Sequence, residues 1–287
     1  MRRLIVNADD FGLTAGVNRA ITEAHSRGIV TSTTLMANGT AFDDAVKRAR
    51  SDTSLAVGCH IVLVDGLAVL DPSQIPSLAD GQPEGQFDTS LLRFALRVLR
   101  GEVRPEHIEA EATAQIRKLQ GAGIAVSHLD THKHTHIFPA VLDPLLSAAK
   151  ACGVSAIRNP FGRMAFSQIV NRPGLWKRYG QVRLLNAWAG RFRERVAAAG
   201  LATTDGSLGI VATGEMDPRL LRLILENLPE GSWELVCHPG YNDADLDQVR
   251  TRLRRSREIE LAMLTAAETR KSLAQHGVEL VSYRSAG

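Results

Sequence analysis

Short apolar runs alternate with longer helix-period segments from end to end, and this alternation constrains the fold more than any other feature of the sequence. Residues 3–8, 31–37, 55–63, 125–130, 154–158, 208–212, 233–237 and 278–283 read as strands. Between them, residues 17–27, 42–50, 106–120, 141–150 and a long charged stretch at 247–275 carry helical spacing, the first closing at Gly28 and the last at Gly277. A strand followed by a helix returns the next strand parallel through a right-handed crossover. Seven or eight such units imply a single α/β domain over residues 1–287, an irregular β/α barrel of the TIM type, with an open doubly wound sheet as the alternative. Two departures from the repeat stand out. One is a loop at 65–90 rich in Pro, Gly, Asp and Gln, and the other is a helical insertion at 162–200. No Gly-rich dinucleotide loop or Walker-type loop follows any strand, which removes support for nucleotide cofactors.

Charge and cysteine content narrow the partners. With 34 basic and 31 acidic residues the net charge is only +3, too little to track a nucleic-acid backbone. Three unpaired-looking cysteines, no signal-peptide core and no apolar run of membrane-spanning length point to a cytoplasmic protein. One segment is exceptional. Between Asn171 and Arg195, seven cations (Arg172, Lys177, Arg178, Arg183, Arg191, Arg193, Arg195) face the single acid Glu194 and interleave with Trp176, Tyr179, Trp188 and Phe192. Such a surface suits peripheral contact with the anionic inner face of a membrane, or else a solvated helix pair whose aromatics pack on the barrel. The composition is also compatible with a homodimer.

Chemistry collects at the strand ends, where β/α barrels place catalytic groups. The first strand ends in Asp9-Asp10, the third carries His60, the next enters His128-Leu129-Asp130-Thr131-His132-Lys133-His134-Thr135-His136, and a later one reaches Cys237-His238-Pro239. Adjacent carboxylates repel, and a divalent cation offsets the charge of one while the other is left to act as a base. If residues 128–136 are extended, their alternate histidines share one side and offer more imidazoles than one metal needs. Direct neighbours on a strand face opposite ways, so Cys59 and Cys237 do not read as nucleophiles. A phosphate substrate would call for converging Arg or Lys side chains, and none is identifiable near the four motifs.

Together these motifs resemble the YdjC-like carbohydrate deacetylases: Asn7-Ala8-Asp9-Asp10-Phe11-Gly12, Gly58-Cys59-His60, His128 to His136, Cys237-His238-Pro239 and Ser256 to Leu261, in order across nearly the whole chain. The resemblance implies a β/α barrel that removes an acetyl group from an N-acetylated amino sugar with one divalent ion, zinc or magnesium. It implies Asp10, His60 and His132 as ligands, Asp9 as base and His238 as a further catalytic group. Asp130, His134 and His136 then fall to substrate binding or ligand support. Lys133 and Cys59 depart from the more usual residues. The segments 62–66, 75–76 and 209–216 are similar to the branch associated with hopanoid biosynthesis, which implies an N-acetylglucosaminyl hopanoid glycolipid as substrate. The alternatives are another metal-barrel activity (phosphoester hydrolysis or sugar isomerisation) and a non-catalytic sugar- or lipid-binding protein. An intact Asp9 beside intact ligands argues against the last, since binding alone needs no base.

Overall fold

The computed structural model describes residues 1–79, 85–162 and 164–285. Seven parallel strands form one curled sheet: β1 (Arg2–Phe11), β2 (Ser32–Leu35), β3 (Ala56–Ile61), β4 (Leu129–Thr131), β5 (Gly206–Leu208), β6 (Gly231–Cys237) and β7 (Val278–Val281). Their order is β4-β3-β2-β1-β6-β5. β1 is the axis of the arrangement. It pairs with β6 from Arg2 to Ala8, while its other edge is shared by β7 over Arg2 to Ile5 and by β2 from Asn7 onward. Isolated parallel bridges at Leu129–Ile157, Ala156–Ala202 and Gly162–Ser207 link the two outer strands, β4 and β5.

Helices cover the outside: α1 (Ala15–Ser26), α2 (Phe42–Ser51), α3 (Pro76–Ala79), α4 (Leu91–Leu99), α5 (Pro105–Gly121) and α6 (Pro139–Ala151) along the first half. The second half carries α7 (Phe166–Ile169), α8 (Pro173–Leu185), α9 (Ala189–Ala198), α10 (Pro218–Glu226), α11 (Ala244–Asp247), α12 (Arg255–Thr265) and α13 (Ala267–Gln275). Leu4, Val6 and Ala8 of β1 are fully buried with Val17, Ile21 and Ala24 of α1, in one apolar cluster that runs through most of the molecule. Burying a side chain of Leu or Ile size contributes about 1.5–3 kcal/mol, so this cluster is the main source of stability.

The α/β class and the parallel sheet agree with the sequence reading, and four segments correct it, beginning with the strand expected at 125–130, which is only Leu129–Thr131. Residues 154–158 form no strand, only the bridging pair Ala156 and Ile157. The strand expected at 208–212 lies earlier, at Gly206–Leu208, because Gly209 turns the chain with φ +90° into a 3-10 turn over Ile210–Ala212. The long helix expected at 247–275 is three pieces. Extended Ala266 separates α12 from α13, and residues 249–254 are irregular, held by Arg254 donating to the Leu246 and Val249 carbonyls.

The loop after β3 is tied down by buried polar groups of α5, an exception to the apolar face a covering helix normally buries. The Gln115 amide pairs with both the N–H and the C=O of Val62, at 2.9 and 2.8 Å. Glu111 accepts from the N–H groups of Val69 and Leu70, at 2.8 and 3.1 Å. Part of the 65–90 loop, residues 80–84, lies outside the described residues.

Candidate metal centre and catalytic cleft

A regular strand would send Asp9 and Asp10 to opposite faces. Here the β1–β2 register shifts between Ala8 and Phe11, and Asp10 adopts φ +70°. A bulge of this kind re-aims one side chain, so both carboxylates line the same cleft. The turn is fixed behind them by the Leu13 N–H donating to the Asp10 carbonyl and the Gly12 N–H donating to Asn18 Oδ1 at 2.7 Å.

Asp10 Oδ1 lies 3.6 Å from His60 Nε2 and 3.6 Å from His132 Nδ1, and the two imidazole nitrogens are 3.4 Å apart. Ligand atoms about 2.0–2.1 Å from a tetrahedral ion lie about 3.3 Å from one another, so this triangle matches one face of such a site. His60 donates from Nδ1 to Asp130 Oδ1 at 2.7 Å, which leaves Nε2 for the cleft in the carboxylate–histidine arrangement typical of metal ligands. Thr34 Oγ donates to Asp130 at 3.2 Å and anchors the carboxylate further. Burial by itself would raise the Asp10 pKa, but Arg257, with Nη2 2.6 Å from Oδ2, and His132 hold it well below the usual carboxylate range. The donor set of two imidazoles and one carboxylate suits a zinc-like divalent ion.

Behind this triangle sits a buried cation absent from the sequence reading. Arg158 Nη1 and Nη2 grip Asp9 at 2.8 and 2.6 Å, Nη1 also pairs with Asp130, and Nε meets Glu234 at 2.8 Å. Glu234 in turn accepts from the Tyr283 hydroxyl at 2.6 Å. Burial would raise the Asp9 pKa, but the Arg158 guanidinium outweighs it and keeps the carboxylate ionised. The signal for Arg158 is positional: it ends an apolar run, where a barrel strand would present it to the interior. Arg257 enters the sequence reading only as part of a motif, yet it touches a proposed ligand directly.

His238 Nε2 is 3.9 Å from Asp9 Oδ2. Burial pushes its pKa down to about 4, against the pull of Asp9 and Asp10, so the ring is neutral at pH 7. Its backbone N–H donates to Glu260 at 2.6 Å, and burial lifts that carboxyl to about 7 against this bond and Arg257. Asp9, Asp10, His60, His132, His134 and His238 therefore line one cleft of about 850 Å³. Asp65 and Thr89, at the two ends of the 65–90 loop, line it too.

The histidine run departs from expectation. His132–Ile137 is a 3-10 turn with Lys133 and His134 at φ +56° and +53°, so alternate residues do not share a side. His134 still reaches the cleft, its Nδ1 buried without a partner. His136 points away: its Nδ1 bonds Thr131 at 2.6 Å and its ring leans on Phe192. His128 stacks on Tyr283 inside the sheet, with ring centroids 3.7 Å apart. Cys59 and Cys237 are buried, and burial pushes both thiols well above their ordinary pKa, which disqualifies them as nucleophiles.

Comparison with known proteins bears on the family and the fold. The family model described as YdjC-like protein matches residues 3–275. A carbohydrate deacetylase of Brevibacillus brevis is 32% identical over 286 residues, covering 99% of this chain and 100% of its own length. One from Listeria monocytogenes serotype 4a is 31% identical over 283 residues, covering 98% and 99%. Among solved structures, a protein of Enterococcus faecalis V583, provisionally described as a cellobiose-phosphate cleavage protein, superposes with a TM-score of 0.79 at 25% identity, covering 99% and 98%. A lactam utilization protein from Thermus thermophilus, with a TM-score of 0.53 at 17% identity and coverage of 98% and 99%, shares the fold. By sequence over nearly its whole length, the chain belongs to the YdjC-like protein family.

Proposed function

We propose that the protein is a metal-dependent carbohydrate N-deacetylase, hydrolysing the acetamido group of an amino sugar to a free amine and acetate. The observation that carries this reading is the 3.4–3.6 Å triangle of Asp10, His60 and His132 with the Arg158-bound carboxylate of Asp9 beside it. The carbohydrate deacetylases it resembles support the substrate class.

Asp10, His60 and His132 would hold a divalent ion, which when bound would supply Lewis acidity toward the amide carbonyl and lower the pKa of water. Asp9 takes the water proton, its orientation fixed by Arg158. A carboxylate held this far down is a weak base, so the reaction depends on water being acidified at the same site. The departing amine needs a proton. His238 is neutral at pH 7 and must first gain one; Asp9 Oδ2 lies 3.9 Å from its Nε2, so a direct transfer from Asp9 requires the two groups to close to hydrogen-bond distance. Arg257, whose Nη1 is buried without a partner at the cleft wall, is positioned to donate toward the carbonyl side.

The finer reading is an N-acetylglucosaminyl hopanoid glycolipid met at a membrane surface. No described helix is long and apolar enough to cross a membrane. Support for surface docking comes from α8, the turn after it and α9, which expose Trp176, Trp188 and Leu184 together with Lys177, Arg183, Arg191 and Arg193. Phe192 is buried against His136 and Phe161 and takes no part in that face. Acetate release from N-acetylglucosamine and N-acetylglucosaminyl compounds tests the reaction. No release with metal present would return the family to other metal-barrel chemistry.

A further inference from the structure

The floor of the cleft rests on a layer of polar groups that the substrate does not meet. Asn7, His128, Glu234 and Tyr283 are buried behind Asp9, in a barrel interior that bulky apolar side chains normally fill. Each has a partner, and the partners lead to one carboxylate. Asn7 stands two residues before Asp9 on β1, and its Nδ2 donates to Asp9 Oδ1 at 2.9 Å. An ionised carboxylate can only accept, so the amide is held in this orientation. Asn7 Oδ1 is then left to meet His128 Nε2 at 3.1 Å, and that nitrogen carries the proton. His128 Nδ1 must accept, and the Ser127 hydroxyl lies 2.9 Å from it. Burial, then Arg158, holds the His128 pKa well below 6.5, so the ring is neutral, as this direction of donation requires. A second arm runs through Arg158, whose Nε donates to Glu234 Oε1 at 2.8 Å while Nη1 and Nη2 donate to Asp9.

Tyr283, just beyond β7, belongs to both arms. Its hydroxyl donates to Glu234 Oε2 at 2.6 Å, and its ring stacks on His128 with centroids 3.7 Å apart and planes 11° from parallel. On β3, Gly58 makes room for the imidazole, since a Cβ there would lie 2.5 Å from His128 Cε1. The two arms leave the oxygens of Asp9 unequal. Oδ1 receives Asn7 and Arg158 Nη2, which occupy both of its lone pairs. Oδ2 receives Arg158 Nη1 and faces the His238 ring across the cleft. We propose that Tyr283 is a positioning residue for Asp9, steadying both arms so that Oδ2, not Oδ1, takes the proton from water. This rests on the deacetylase reading and adds to it the atom that acts and the segment that aims it. A satisfied buried network fixes orientation, and loss of one member loosens the rest.

The test compares metal-loaded wild type, Tyr283→Phe and Tyr283→Leu for acetate release from N-acetylglucosaminyl compounds, bound metal and melting temperature. Phe keeps the stack and removes the donor, whereas Leu removes both. The kcat should fall about tenfold in Tyr283→Phe and about 10²-fold in Tyr283→Leu, with KM and bound metal unchanged. A purely structural Tyr283 would lower the melting temperature and leave kcat per folded chain at the wild-type value, which would overturn the proposal. NMR of histidine-labelled protein supplies a reading that needs no turnover. His128 should carry its proton on Nε2 in the wild type, and Tyr283→Leu should exchange that proton with solvent faster. A proton on Nδ1 instead, or unchanged exchange in Tyr283→Leu, would overturn the alignment of Asp9. No acetate release from the wild type, with both NMR results as expected, would instead overturn the deacetylase reading and leave the alignment standing.

Discussion

On the floor of the cleft, Arg158 is fully buried and all three of its guanidinium nitrogens meet carboxylates of Asp9, Asp130 or Glu234. On the wall, Arg250 and Arg252 are exposed on irregular backbone, with no carboxylate partner among the described residues. The same side chain serves two purposes. A paired, desolvated guanidinium fixes the geometry of neighbouring groups, because any movement would strand a charge in a low dielectric. An unpaired one at a cleft mouth keeps its donors for something that arrives from solution.

The contrast breaks most visibly at Arg158. Arg158→Met leaves three carboxylates buried around an apolar side chain and should cost about 3–5 kcal/mol in denaturant unfolding, whereas Arg250→Gln should be neutral. Comparable losses in the two variants would erase the distinction between floor and wall. Next in size is the base: Asp9→Asn should keep bound metal while acetate release falls by roughly 10²-fold or more. Near-normal turnover would make Asp9 a structural anchor for Arg158 and nothing else. Within the histidine run, His132→Ala should lose metal and activity together, while His134→Ala should retain metal and alter KM. The reverse pattern would move the ligand to His134.

A smaller effect concerns the outer surface. Replacing Lys177, Arg191 and Arg193 with Gln should reduce co-sedimentation with anionic liposomes at low salt and leave hydrolysis of a soluble sugar unchanged. No sedimentation of the wild type would leave the segment as a solvated helix pair. The smallest effect is a pH dependence of the metal-free protein. Burial opposes protonation of His60, but Asp130, Asp9 and Asp10 outweigh it and raise its pKa to about 9, above the ordinary 6.5. A group raised on folding stabilises fully below its unfolded value and loses that contribution as pH rises through the folded one. Chelated protein should therefore melt at progressively lower temperature between about pH 6.5 and 9, a loss that the metal-loaded form lacks because its ligand is already deprotonated. Parallel curves for the two forms would contradict this.

The floor is largely legible in the sequence because it hangs from strands. The Asp9-Asp10, His60, Asp130-His132 and His238 positions follow directly from where apolar runs end. What is not legible depends on backbone that departs from period two. The bulge at Asp10 and the paired left-handed residues Lys133 and His134 decide which neighbours share a face, and neither is signalled by a glycine. Thus His134, assigned to the site on period two, reaches the cleft through the turn instead, while the same period-two reading of His136 and His128 points them toward a site they do not join. The wall is hidden for a different reason: 249–254 reads as the start of a charged helix, and only the chain's departure from that helix delivers Arg250 and Arg252 to the cleft.

Everything proposed for the floor turns on one ion held by Asp10, His60 and His132 and required for hydrolysis. Protein stripped with a chelator and titrated with zinc should regain acetate release in step with bound metal, both saturating at one ion per chain. Full activity in demonstrably metal-free protein, or stoichiometric zinc binding that leaves hydrolysis absent on N-acetylglucosamine and N-acetylglucosaminyl compounds alike, would contradict it.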